Sequence, residues 1–371
     1  MKILFNTYSP NKPSSAFYIS GFERFKDISF FDYDNYEDFD LVLFMGYIED
    51  LKEIERAKDK NPNILIGIVD PKSKGSINSY TKLIDFFIVD SIEMSDFWQD
   101  FRKPIFTYFE YPFFNSKKKT HIDKDRLIIA YHGNKVHLTS FFPNISKALE
   151  ILGSKYNITL KAIYNISELG KWTIGRPKNI EIEDIQWSPE VYEHELALAD
   201  IGIIPSLIPL KDNSKKRTNL SKFFLATDDD YLIRFKMLSN PGRLIVFSKL
   251  GIPVVAEMSP SHLEFIKNGF NGYIAYSTGA WVNGIEKLII SSDVRNKISE
   301  EMFNTYLNNF DYDVQNKKLR IFFEKLLSKD LDTFDLSYDL NFENSNLEKF
   351  KFRNAYSFDK LKKIYNRVFK N

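Results

Sequence analysis

Short, nearly continuous apolar runs alternate with polar stretches of helical length from the first residues of the chain. Lys2–Thr7, Leu41–Gly46, Ile64–Asp70, Phe86–Asp90 and Ile105–Phe109 are apolar at almost every position. A strand with one wet face alternates, whereas a strand buried on both faces of a parallel sheet reads as an unbroken run. Polar stretches such as Glu49–Lys60 and Ile92–Phe101 lie between these runs and predict helices. The series is therefore α/β. At Tyr111–Lys124 the periodicity gives way to a segment with a proline and a lysine triplet, which predicts a linker.

A second α/β series follows. Its expected strands are Leu127–Tyr131, Ile158–Ile163, Ile180–Ile185, Ile201–Pro205, Pro253–Glu257 and Gly272–Ala275. Its expected helices lie near Phe141–Gly153, Pro189–Leu198, Arg243–Leu250, Ser261–Asn268 and Gly279–Ile290. The pattern predicts two Rossmann-like domains facing a cleft, at residues 1–115 and 126–300, joined by a linker at 116–125. Residues 301–371 are expected to be a helical extension returning toward the first domain, with Asp311–Leu327 as a closing helix. Leu210–Asp230 interrupts the second domain with a polar, charged excursion, and loops of that length in compact domains are usually functional or mobile.

Composition narrows the chemistry. The 371 residues are 43% hydrophobic and 16% aromatic, enough for a large core, so wholesale disorder is excluded. The formal charge is +1, which argues against nucleic acid as a partner, because phosphate binding needs surplus cation. With no cysteine there is no disulfide framework, thiolate metal site or cysteine nucleophile. Five scattered histidines leave little for an imidazole metal centre. The opening MKILFNTYSPNK is not a signal-peptide pattern, and no run reaches the ~18 apolar residues of a membrane span. A cytoplasmic protein is expected.

The most informative stretch is Tyr231–Glu264. Asn240 stands where a helix N-cap belongs, Pro241 suits the first helical position and Arg243 falls in the first turn. Free amides and the helix dipole make such a terminus an anion site, and Gly242 lets an anion approach the backbone closely. Arg234 and Lys236 lie just upstream, so three cations converge as a metal-free diphosphate leaving group requires. A capped helix with solvated cations is the plainer alternative.

Arg243–Glu264 with Phe265–Ile274 resembles the C-terminal half of GT-B glycosyltransferases, nearest the retaining family 4. The matching elements are Arg243 in place of the family's lysine, Gly251–Val255 (GIPVV), Glu264, and Asn271–Gly272 before a strand. Ala199–Pro205 and the turn His132–Lys135 are similar as well, and the likeness spans about Arg126–Ser299. The resemblance implies a metal-independent transfer, with no resident cofactor, from a nucleotide-diphosphate sugar to a cell-surface glycan or lipid-linked acceptor. Residues 126–300 would hold the donor and residues 1–115 the acceptor. Arg234, Lys236, Glu264 and His132 would carry the chemistry, with Asn240, Gly242, Arg243, Gly133, Ser206 and Glu257 binding the donor. One position departs: the family's ribose-gripping glutamate aligns with Val246, so ribose recognition falls to Glu257 or Glu264. A nucleotide-sugar epimerase and a non-catalytic sugar-nucleotide binding protein stay open as alternatives.

Other features have two readings each. His132, at the C-terminal end of a strand, touches a donor or is a hydrogen-bonded structural histidine. The loop Ser9–Ser15 lines the acceptor side of the cleft or is a surface turn. Asp228–Asp230 reads as solvated acids before it reads as a metal-binding pair. The tail divides by charge: Asp330–Glu343 has five acids and no base, and Asn344–Asn371 has six lysines and two arginines against two acids. Ser357–Phe369 has an apolar stripe at Phe358, Leu361, Tyr365 and Val368. It is either a docked helix or a surface helix contacting anionic membrane.

Overall fold

Twelve strands form two all-parallel six-stranded sheets in the computed structural model, which describes residues 1–72, 74–112, 116–164, 169, 172–206 and 241–330. The first sheet has the order β2-β1-β3-β4-β5-β6, with β1 at Ile3–Asn6, β2 at Ile28–Phe30, β3 at Leu41–Met45, β4 at Leu65–Val69, β5 at Phe86–Val89 and β6 at Ile105–Thr107. The second has the order β12-β11-β10-β7-β8-β9. Its strands are β7 at Leu127–Gly133, β8 at Ile158–Tyr164, β9 at Glu181–Gln186, β10 at Ile201–Ile204, β11 at Val254–Glu257 and β12 at Tyr273–Ala275. Every residue of β1, β3, β5, β8, β10 and β11 is buried, the two-sided burial that the unbroken apolar runs require.

The apolar runs locate the strands to within about two residues. Elements that carry no such signal include the short β2 and the helices Pro13–Phe22, Lys74–Asn78 and Ser292–Thr305. The first of these helices begins inside the stretch read as the Ser9–Ser15 loop, with Pro13 in its first turn. The stretch Glu49–Lys60 is two helices, Ile48–Leu51 and Glu53–Lys60. The helix expected to start at Pro241 spans Gly242–Leu250, with Pro241 at its N-cap and no side-chain cap bond. Gly251 ends it at φ 68°, a left-handed conformation that glycine adopts without penalty. Asn240, Arg234, Lys236, Asp228–Asp230 and the tail segment Ser357–Phe369 all lie outside the described residues.

The connecting segment is strapped down on the second half. Lys119 donates to the carbonyls of Leu198 and Ala199 at 2.8 and 2.6 Å. Lys124 donates at 2.8 Å to Asp200, which is fully buried and also accepts the Ile128 amide at 2.9 Å. The Asp200 carboxyl is held below its usual range by these hydrogen bonds and by Lys119, against the opposing effect of burial. His121 bonds through Nε2 to the Gly251 carbonyl at 2.8 Å. The lysine triplet is thus partly spent on fastening the chain, which is why it does not behave as a free linker.

The helix Tyr312–Ser328 starts from an Asp311 cap, whose carboxylate accepts the Asp313 amide at 3.0 Å. It buries Gln315, Asn316, Leu319 and Phe323, roughly one face at helical spacing, against the first half. Phe323 packs on Phe25 and Phe86 at centroid distances of 6.0 and 5.8 Å, and Phe322 on Phe106 at 5.2 Å. Asn316 accepts the Tyr108 hydroxyl at 2.7 Å and donates to the Gly21 carbonyl at 3.2 Å. Residues Met1–Lys329 consequently form one compact unit.

Candidate active site

In an open parallel sheet, ligands sit beyond the carboxyl ends of the strands where the strand order reverses. The first sheet reverses between β1 and β3, the second between β7 and β10. A cleft of about 470 Å³ is lined by residues that follow three of these strands. Lys12, Pro13, Phe17 and Tyr47 face it from the first half; His132, Gly133, Asn134 and His137 face it from the second. The Gly242–Leu250 helix contributes Gly242, Arg243 and Val246 to the same wall.

Arg243 is buried, only 9% exposed, with its guanidinium 5.8 Å from the centre of the Tyr131 ring. Its Nη1 has no hydrogen-bond partner among the described residues. Burial pulls the guanidinium pKa down, while Tyr131, Glu110 and Glu257 act in the other direction. A buried, partly unsatisfied cation costs free energy in the empty protein, and an anion seated against it removes that cost. Gly133 has φ 136°, and a Cβ there would stand 3.0 Å from the Tyr131 hydroxyl, so only glycine fits.

His132 is equally buried and packs edge-on to Phe247 at 5.2 Å. Its Nε2 is a second buried polar atom without a partner among the described residues. Burial, reinforced by the Arg243 charge, lowers its pKa to about 3, so the ring is neutral at physiological pH. It is a hydrogen-bonding group for an uncharged ligand atom rather than a cation.

Other residues singled out in the sequence sit elsewhere. The Glu257 carboxylate accepts the Ser206 amide at 2.8 Å, and the Glu257 carbonyl accepts from His262 Nδ1 at 2.6 Å. Neither Glu257 nor Ser206 is on the cleft wall; Glu257 acts there through the charge of Arg243. Glu264 is exposed and lines a separate hollow with Phe106, Gln315 and Lys318. The helix Pro260–Phe265 turns His262 inward, which leaves Glu264, two residues on, facing away from Arg243. Val246, at the position of the family glutamate, does face the cleft, one turn after Arg243.

Sequence reasoning missed Glu110, a buried carboxylate on the first-half side of the cleft. It belongs to a trio with Asp70 and Asp90, all buried, whose carboxylate oxygens lie within 4.8 Å of one another. The signal was present: Ile64–Asp70, Phe86–Asp90 and Ile105–Glu110 each end an apolar run with an acid. Because β4, β5 and β6 are adjacent and parallel, the three acids arrive at one sheet edge.

No family model and no curated protein matches the chain in sequence. Solved structures with similar folds include Alr3699/HepE of Anabaena in complex with UDP-glucose, at 11% identity and a TM-score of 0.56, covering 88% of this chain and 100% of that one. A glycosyltransferase from Rickettsia africae is 12% identical with a TM-score of 0.56, over 88% of this chain and 98% of its own. Sucrose-phosphate synthase of Thermosynechococcus elongatus is 9% identical with a TM-score of 0.52, over 79% and 75%. At such identities the likeness is one of fold, and that fold is the GT-B arrangement of two Rossmann-like sheets.

Proposed function

We propose that this chain is a glycosyltransferase that moves a sugar from a nucleotide-diphosphate sugar to a glycan or lipid-linked acceptor, without a metal. The observation that carries the reading is Arg243: a buried guanidinium with an unpaired Nη1, in the first turn of a helix that opens onto the cleft. First-turn amides and a guanidinium together favour a diphosphate, and they act most strongly when charge grows on it as the sugar departs. Gly242 and Gly133 leave the backbone open to close approach. His132 offers its neutral Nε2 to a sugar hydroxyl. Arg234 and Lys236 are proposed to add charge from the segment before the helix. Similar folds crystallised with UDP-glucose and with UDP support a nucleotide-sugar donor. Retention at the anomeric carbon rests on the family 4 resemblance alone. Metal independence rests on the family 4 resemblance and on Arg243, Arg234 and Lys236 as the cations that would meet the leaving group.

Val246 favours a second reading, a protein that binds the sugar nucleotide without turning it over, because an apolar side chain faces the cleft where the family has a carboxylate. Melting curves with nucleoside diphosphates and their sugars test the shared premise. A ligand at 100 times its Kd stabilises the native state by about 2.7 kcal/mol, an upward shift of a few degrees. The shift is expected to persist in EDTA. If no nucleotide sugar shifts the curve, both readings fail; binding without release of the nucleoside diphosphate leaves the second.

Among the described residues no helix is long and apolar enough to cross a membrane. We further propose that the basic segment Asn344–Asn371 draws the protein to anionic lipid, since each cation near such a surface contributes on the order of 1 kcal/mol. Flotation with anionic vesicles is expected at low salt and should be lost at high salt or on deletion after Leu340. No flotation of the full chain at low salt would end this proposal.

A further inference from the structure

Two turns at the carboxyl ends of their strands, one from each half, are fastened to each other. β5 leads into the helix Ile92–Trp98, which Ser91 caps by accepting the Met94 amide at 3.1 Å. β11 leads into the helix Pro260–Phe265, which Ser259 caps by accepting the His262 amide at 3.4 Å. The starts of these two helices meet. The Glu93 carboxylate accepts both the hydroxyl and the amide of Ser261, the amide at 3.3 Å. The same hydroxyl oxygen accepts the Ile92 amide at 3.2 Å. Glu93 and Ser261 are buried, and 168 residues separate them in sequence. Hydrogen bonds to a buried carboxylate are of the stronger kind, and breaking them strands a charge without solvent. The two halves are therefore held in one register at this point.

Neither Glu93 nor Ser261 lines the cleft, yet the turn they clamp leads to Arg243. The residue after Ser261 is the buried His262, whose Nδ1 bonds the Glu257 carbonyl at 2.6 Å. The Glu257 carboxylate accepts the Ser206 amide at 2.8 Å, which ties the turn to the end of β10. The charge of Glu257 acts on Arg243, and that of Arg243 acts on His262, so the three groups stand close together. We propose, building on the glycosyltransferase reading, that Glu93 is a positioning residue for the transfer: from the first half it fixes the Glu257–His262 turn of the second, and through that turn the alignment of Arg243 against the diphosphate. Arg243 counts most when charge grows on the departing group, and a misplacement of about 1 Å at such a site costs up to ~10²-fold in rate. Loosening the turn is thus felt in kcat more than in donor affinity.

The test uses the full-length protein and the nucleotide sugar that gives the largest melting shift, with release of nucleoside diphosphate as the measure of turnover. Glu93→Ala is expected to lower kcat about 10- to 100-fold and to change the donor Kd by no more than about threefold. Glu93→Gln, whose carbonyl oxygen still accepts one bond from Ser261, should recover at least part of that loss. The decisive comparison is made in the Arg243→Met background. If Glu93 acts through Arg243, Glu93→Ala adds little to the loss that Arg243→Met already causes, whereas a structural role alone would multiply the two losses. Should Glu93→Ala not fold, Ser261→Ala, which removes one hydroxyl and leaves the carboxylate in place, takes its position in the same comparison. Wild-type kcat in a folded variant, or losses that multiply, overturns the proposal, and so does a lowered melting temperature with unchanged turnover. Failure of the underlying reading shows itself differently, as an intact protein that binds no nucleotide sugar or releases no diphosphate from it, and the proposal falls with it.

Discussion

Replacing Arg243 with methionine is expected to lower turnover of the donor by 10²- to 10³-fold while leaving the protein as stable as before, or more so. The first half follows from position: a preorganised donor aimed at developing negative charge contributes about 3–4 kcal/mol to the transition state. The second half follows from burial. Arg243 is 9% exposed and its Nη1 is unpaired, so the empty protein carries the desolvation cost of a charge without its full return. Methionine fills similar space, packs on Tyr131 and removes that cost. Nucleoside diphosphate release and melting curves, measured together, check both halves. A variant with wild-type turnover would refute the assignment of Arg243. One that melted at a much lower temperature would show that the guanidinium holds the fold together.

A steep loss of stability on mild acidification is the second large effect to expect. His121, His132 and His262 are buried, and burial, first among the causes, lowers their pKa values to about 4, 3 and 4. Unfolded histidine titrates near ~6.5. From there downward the unfolded chain takes up protons that the folded one refuses, so stability falls as pH falls, and it is recovered above about 6.5. Each histidine approaches about 1.4 kcal/mol per pH unit below its unfolded pKa and half that at it, so three amount to roughly 5 kcal/mol between pH 6.5 and 5. Asp90 acts with the opposite sign, because its raised carboxyl pKa gives stability that is lost as pH rises, and it offsets part of the slope. The net change is still comparable with the whole stability of an ordinary domain. Urea unfolding at pH 7, 6 and 5 measures it, and His121→Gln, whose amide nitrogen reaches the place of Nε2 and can still donate to the Gly251 carbonyl, should remove about a third of the slope. A midpoint unchanged between pH 7 and 5 would contradict the burial argument.

The strands and their grouping into two halves were legible because two-sided burial writes itself into consecutive residues. The start of the Gly242–Leu250 helix was legible for a related reason: Pro241 and Gly251 act locally, on the few residues beside them. Glu264 was not legible. Its direction depends on how a six-residue helix is rotated against its neighbours, and there His262 takes the inward position. Glu110 was hidden for another cause. Asp70, Asp90 and Glu110 are 20 residues apart in sequence and become neighbours only through the order of β4, β5 and β6. The helix Pro13–Phe22 was masked by an opening rich in proline and serine, which local propensity assigns to a turn.

The returning helix Tyr312–Ser328 has a consequence for the order in which the chain is built. The second half, β7 to β12, is contiguous in sequence, whereas the aromatic face of the first sheet at Phe86 and Phe106 is covered by Phe322 and Phe323. During synthesis from the N-terminus, that face stays wet until more than 200 later residues have left the ribosome. The half that emerges first is therefore completed last, and through that interval its uncovered phenylalanines are the sticky surface on which a chaperone, or a neighbouring unfinished chain, would act.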